Sequence, residues 1–230
     1  MILFERVAKR YPNGREALRG ASFSIDRGEM VFLTGRSGAG KSTILKLIAM
    51  LERPTRGTVV VNGQNLGNLR ARHLPAYRRS LGVVFQEHRL LDDRPVFDNV
   101  ALPLVVAGAN QADMGKRVRA ALDQVGLLGK ERMLPNELSV GEQQRVGIAR
   151  AVVAKPSVLI ADEPTGNLDP DLALEVMKLF RRFQDVGVTV IIATHDLHVV
   201  HEFGQRSIVV DDGLIVGGGD APLPSMTASR

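Results

Sequence analysis

The sequence predicts an α/β protein whose core is a mostly parallel sheet. Three observations point there. The apolar run MVFLT passes through GRSGAGKST into STILKLIAML, which reads as a strand, a glycine-rich turn and a helix in immediate succession. SVLIAD and VTVIIATHD are continuous apolar runs, the pattern of strands buried on both faces. Between them DLALEVMKLFRRFQ is amphipathic at helical spacing, and strands that alternate with helices imply parallel crossovers.

The elements follow in order. Up to about residue 62, FERVAKRY, ASFSI, MVFLTG and GTVVVNG read as strands, bounded by PNG at 12–14, RG at 27–28 and NG at 62–63. The helix STILKLIAML interrupts them and stops before Pro54. From about 95 to 138 the spacing turns helical in VFDNVALPLVVAG and MGKRVRAALDQVGLL, with Val118, Leu122 and Val125 on one face. The strand, helix, strand series comes next. VGGGDAPLPSMTASR, rich in Gly, Pro and Ser, is expected to be a loose tail. No internal repeat is present.

Composition narrows the function classes. A chain of 230 residues makes one domain or two small ones, and 44% hydrophobic with 24% charged residues is ordinary for a globular protein. With no cysteine there is no disulfide, thiolate metal site or cysteine nucleophile. No apolar run reaches about 18 residues, so no span is expected, and Glu5 and Arg6 interrupt the apolar stretch a secretory signal would need. The net charge of +5 suits an anionic ligand. With no Trp and only 2 Tyr and 8 Phe, stacking platforms for single-stranded nucleic acid are scarce. The basic run RARHLPAYRR at 70–79 reads as a solvated helix face. It suits anionic lipid better than nucleic acid, and no nucleic acid is expected.

Residues 35–43, GRSGAGKST, have the form G-x-x-x-x-G-K-[ST] in the strand–loop–helix setting that a phosphate loop requires. Gly35, Gly38 and Gly40 let the backbone bend so that N–H groups, those of Ser37 and Ala39 among them, turn inward at a helix N-terminus and bind an anion. Lys41 is expected at the β- and γ-phosphates, Ser42 on Mg²⁺ and Thr43 at the α-phosphate. SVLIADEPTGNLD ends a strand on adjacent acids. Asp162 suits a ligand of Mg²⁺, and Glu163, pointing to the other side, suits a base for an attacking water. His195 ends the next buried strand. Since ligands gather at the carboxyl ends of parallel strands, it should face the same crevice.

Five more elements occur in one order: Tyr11 in a turn before the first strand pair, Gln86 after LGVVF, LSVGEQQR at 138–145, NLD at 167–169, and His195. This set resembles the ATP-binding-cassette (ABC) ATPase family over nearly the whole chain, to about residue 216. The resemblance implies a mostly parallel sheet with an antiparallel β subdomain, a helical subdomain inserted at about 88–140, and a flexible tail over 217–230. It implies that Tyr11 stacks on adenine and that Gln86 senses Mg²⁺ and water. Ser139, Gly141 and Glu142 would bind the ATP held by a second copy, and Asp169 would communicate across that homodimer. His195 would join Glu163, Gln86 and Lys41 in catalysis. Without the family, LSVGE is a capped helix start, Ser139 and Glu142 having the spacing of a capping box.

The phrases VFQEHRLLDDRPVFDNVALPL, GEQQRVGIARAVV and ADEPTGNLD narrow the resemblance to the cell-division branch. That branch implies an integral membrane partner and a place in the cytoplasm on the inner face of the bacterial membrane. The last phrase also occurs in ATPases of lipoprotein release and macrolide export, so these and solute importers remain alternatives. A soluble relative acting on DNA or ribosomes would need a long coiled-coil insertion, and none is seen. Val140 stands where the family usually has glycine, and a β-branched residue resists positive φ. If that position needed positive φ, the loop would be strained. Glu142 replaces the commoner glutamine. Leu90 and Leu91, beside Asp92 and Asp93, are expected to leave an exposed apolar patch for the membrane partner.

Overall fold

A computed structural model describes residues 1–85 and 89–219. Two sheets share the work. A four-stranded antiparallel sheet has the order β2-β1-β4-β5, with β1 Ile2–Arg10, β2 Glu16–Ile25, β4 Arg56–Val61 and β5 Gln64–Asn65. The six-stranded sheet has the order β10-β9-β3-β8-β7-β6. Its strands are β3 Met30–Thr34, β6 Leu81–Val84, β7 Val158–Asp162, β8 Thr189–Ala193, β9 Arg206–Asp211 and β10 Leu214–Gly217. All neighbours pair in parallel except β9 and β10. The helices are α1 Lys41–Ile48, α2 Leu74–Arg79, α3 Val96–Val106, α4 Gln111–Gln124, α5 Val140–Val152, α6 Pro170–Asp185 and α7 Leu197–Phe203.

Strand alternation divides the interior in two. Met30 and Phe32 of β3 join Leu159 and Ala161 of β7 and Val190 and Ile192 of β8 in one apolar cluster, which continues into α3, α4, α5 and α6. Val31, Leu33, Val158, Ile160, Ile191 and Ala193 face the other way, into a cluster with α1 and the antiparallel sheet. This is why β3, β7 and β8 read as unbroken apolar runs: both faces are covered. Each fully buried Phe, Ile or Leu side chain contributes about 1.5–3 kcal/mol by leaving water. The helical spacing of Val118, Leu122 and Val125 holds, and all three are buried.

Register aligns the functional edge. Leu33 pairs with Ala193, and Ala193 with Asp162, so β3, β8 and β7 end level with one another. The residues just beyond are Gly35, His195 and Glu163. Val84 lies opposite Ala161, so the chain leaves β6 at the same edge. Gln86, the next residue but one, lies outside the described residues.

Three expectations need correction. Tyr11 stands not before the first strand pair but in the turn joining its strands, where its N–H donates to Arg15 O at 2.9 Å. Gly217 and Gly218 are not loose. Gly217 pairs with Val209, and the Gly218 carbonyl accepts two bonds from Arg206, at 3.1 and 2.8 Å. The rest of the expected tail, 220–230, lies outside the described residues. Leu90 packs against the helical cluster rather than standing in the open, while Leu91 is 41% exposed.

Candidate functional site

At the level strand ends opens a cavity of about 1200 Å³, walled by the phosphate loop, Tyr11, Arg15, Glu163, His195 and Leu197. The loop bends at Gly35, whose φ is 139°. A Cβ there would lie 2.0 Å from Val210 O, so no other residue fits. The loop runs into α1, whose cap, Gly40, offers no side chain to its first N–H groups, and no acid occupies the first turn. Those N–H groups and the helix dipole are left for an anion.

Lys41 is 6% exposed. Its ammonium donates to Gly35 O at 2.6 Å and Arg36 O at 3.2 Å, and stands 3.9 Å from Glu163 Oε1. Both carbonyls are neutral, so a triphosphate offers this cation a stronger partner within the same loop.

Ser42 Oγ donates to Asp162 Oδ1 at 3.1 Å. Burial raises the Asp162 carboxyl above the ordinary range, an effect the Ser42 bond partly offsets. A hydroxyl and a half-buried carboxylate, both hard oxygen donors, suit Mg²⁺, which keeps waters and takes few protein ligands. A carboxyl with a raised folded-state value contributes stability at low pH that is lost as pH rises through that value. Asp162→Asn is therefore expected to melt higher than wild type near pH 8 without nucleotide, with the gap closing below about pH 4, and to lose Mg²⁺-dependent turnover. Thermal melting across pH together with an ATPase assay checks both.

Glu163 has φ 47°, an uncommon region for a residue with a side chain. Its N–H is held by Ala193 O at 2.9 Å. This turn aims its carboxylate back at the cavity, where Oε2 lies 2.9 Å from His195 Nδ1 and Oε1 faces Lys41. Tyr11 Oη is 3.4 Å from Thr43 Oγ1, and Lys9 Nζ covers one face of the ring at 5.0 Å from its centroid. Tyr11 also lines the cavity.

Ser139, Gly141 and Glu142 do not line this cavity. Ser139 is the N-cap of α5 and forms a capping box with Glu142. A Cβ on Gly141 would fall 2.0 Å from Leu172 Cδ2, so the helix start is pressed against α6. Asp169 caps α6, accepting from Leu172 N–H at 3.0 Å. Val140 is the first residue of α5, is 50% exposed and is absent from the residues with positive φ. The position therefore demands no glycine. Val140→Gly is expected to keep turnover within about twofold, the scale of an ordinary surface change, as an ATPase assay would report.

Three residues escaped the sequence reading. Arg15 donates to Gly38 O at 2.8 Å and braces the phosphate loop. Asn99 is fully buried and clamps the turn before α3: Leu91 N–H donates to its Oδ1 at 2.7 Å, and its Nδ2 donates to Leu91 O at 3.0 Å. A lone amide inside VFDNVALPL was the available signal. Lys130 donates to Glu142 Oε1 at 2.6 Å, and only the fold brings the two together.

Residues 18–166, more than half of the chain, match the family model described as ABC transporter. The chain belongs to the ABC transporter family. As an ABC ATPase it has curated relatives along nearly its whole length. The cell division ATP-binding protein FtsE of Escherichia coli (strain K12) is 54% identical over 218 residues, 95% of this chain and 98% of that one. FtsE of Bacillus subtilis (strain 168) is 48% identical over 216 residues, 94% of this chain and 95% of that one. Among solved structures, a bacterial ABC transporter cassette in dimeric form superposes with a TM-score of 0.87 at 35% identity, covering 94% of this chain and 97% of that one. The same cassette as a post-hydrolysis dimer bound to ADP and Pi gives a TM-score of 0.86 at 34% identity, with the same coverage.

Proposed function

We propose that this ABC ATPase is the ATP-hydrolysing subunit of an FtsX-type membrane complex acting in bacterial cell division. The observation that carries the reading is the near full-length match, at 54% identity, to a protein described as a cell division ATP-binding protein. In this reading the protein works in the cytoplasm, peripheral on the inner face of the cell membrane, with contact to anionic lipid through its positive charge. Among the described residues no helix is long and apolar enough to cross a membrane, and we assign the spanning part to a separate integral subunit. The cycle moves that subunit, and solute transport is not required.

Two copies close face to face, each ATP lying between the phosphate loop of one and the Ser139–Gly141–Glu142 turn of the other. Two facts support this. That turn stands away from the cavity within one chain, and the similar cassette is dimeric. Such a two-fold contact is self-complementary. The triphosphate lies along the N–H groups of the loop, and Lys41 exchanges the carbonyls of Gly35 and Arg36 for phosphate oxygens. Tyr11 stacks on adenine by the ring face opposite Lys9. Ser42 and Asp162 would hold Mg²⁺ and Gln86 would sense it, and the ion would supply charge neutralisation to the triphosphate. Glu163 orients the attacking water and accepts its proton. His195 gives Nδ1–H to Glu163, so it reaches a γ-phosphate oxygen through Nε2, and as a donor there only when both nitrogens are protonated.

Co-purification of membrane proteins from the native host tests the reading. An integral partner of the FtsX type is expected, and recovery of an exporter or importer permease instead would overturn it. The docking surface is expected at Leu91 and along the outer side of α3, where Leu102, Val105 and Val106 are exposed. Leu91→Asp with Val105→Asp should abolish partner co-purification and leave ATP binding intact. Leu90→Asp should lower the melting temperature instead, since Leu90 packs on the helical cluster.

A further inference from the structure

We propose that Lys130 is a positioning residue for ATP hydrolysis: it holds Glu142 against Ser139 and cancels the Glu142 charge, so that a neutral, oriented serine meets the nucleotide of the facing subunit. This rests on the two-subunit reading above.

Glu142 has both carboxylate oxygens engaged. Oε1 accepts from Lys130 Nζ at 2.6 Å, and Oε2 accepts from the Ser139 N–H at 3.1 Å. Ser139 Oγ in turn accepts from the Glu142 N–H at 3.3 Å. The Lys130 bond is the chief cause that holds the Glu142 carboxyl below its usual range, with the Ser139 bonds adding to it. The group is therefore charged at neutral pH. A carboxylate in the first turn suits α5, whose dipole favours it. It does not suit a triphosphate arriving at the same turn. Lys130 removes that conflict at contact distance, and a glutamine at 142 would never have raised it.

Stability alone does not account for the pair. Its side chains are 38% and 18% exposed, and an ion pair still partly in water contributes modestly to folding. What the pair does fix is direction. Lys130 closes the short turn Leu128–Lys130. The next residues are laced to the start of α3, where Phe97 N–H donates to Glu131 O and Val96 N–H to Met133 O, both at 2.9 Å. Asn99 ties that same helix start to Leu91. One continuous set of bonds therefore joins Leu91 to Ser139.

The test uses the full chain carrying Glu163→Gln, and reads the ATP concentration giving half-maximal dimer by light scattering, alongside ATP affinity of the monomer and melting temperature. Lys130→Met should raise that concentration roughly tenfold, the scale of one charge-assisted contact, without changing monomer affinity. Lys130→Arg should behave as the parent. Lys130→Met with Glu142→Gln should recover most of the loss, because no charge is left to cancel. Dimerisation of Lys130→Met at the parent's ATP concentration overturns the proposal. So does a loss that tracks melting temperature and that Glu142→Gln does not relieve. A parent that stays monomeric at saturating ATP overturns the two-subunit reading, and this proposal with it.

Discussion

Replacing Glu163 by glutamine is expected to slow ATP hydrolysis by roughly 10²- to 10⁴-fold, the range of a lost general base, while ATP binding persists. Glutamine preserves the size of the side chain and an oxygen to accept from His195 Nδ1, which lies 2.9 Å from Glu163 Oε2. It cannot take a proton from water. The closed dimer that hydrolysis would release should accumulate. Stopped turnover with retained nucleotide, read together with dimer mass by light scattering, is the expected result. Ordinary turnover in the variant would remove Glu163 from the role of base.

Lys41→Ala should reduce both ATP affinity and turnover, with turnover falling roughly 10²- to 10³-fold, as when one preorganised donor to developing charge is removed. Two effects combine. The variant loses the ammonium that meets the phosphates, and it also loses the two bonds that draw the Gly35 and Arg36 carbonyls around it. Glu163 then lacks the cation 3.9 Å away that shares its corner of the cavity. Lys41→Arg separates the effects, since a guanidinium keeps the charge and changes the shape. Isothermal titration with ATP and a turnover assay distinguish loss of binding from loss of chemistry. An alanine variant that still binds ATP at wild-type affinity would remove Lys41 from the phosphates.

What the sequence makes legible is local, or follows from a general rule about sheets. GRSGAGKST announces its own bend because its glycines and flanking runs lie within one stretch of chain. Asp162, Glu163 and His195 could be sent to one edge because buried parallel strands end together, and the pairing of Leu33, Ala193 and Asp162 brings that about. The Ser139 cap was legible from a spacing of three residues. What escaped depends on contacts between distant segments. Nothing near Lys130 or Glu142 in sequence says that they meet. Leu90 reads as exposed because it stands beside Leu91, Asp92 and Asp93, yet it turns inward onto the apolar cluster that the sheet shares with α3, α4, α5 and α6. Sequence alone leaves Val140 a candidate for strain, since the family usually has glycine there. Its real setting is a helix start, where a valine is unremarkable.

The apolar cluster that runs unbroken from Phe32 and Ile192 of the sheet to Leu122 of α4 has a mechanical consequence. Among the described residues α3 and α4 pack chiefly on each other and on α5, and α5 packs on β6, so the helical segment reaches the sheet mainly through one helix. Any displacement relative to the sheet must slide packed side chains past one another, and such shear comes in small steps between discrete packings. Asn99 ties the turn at Leu91 to the start of α3, so the two move together. The segment is built to transmit a short stroke stiffly.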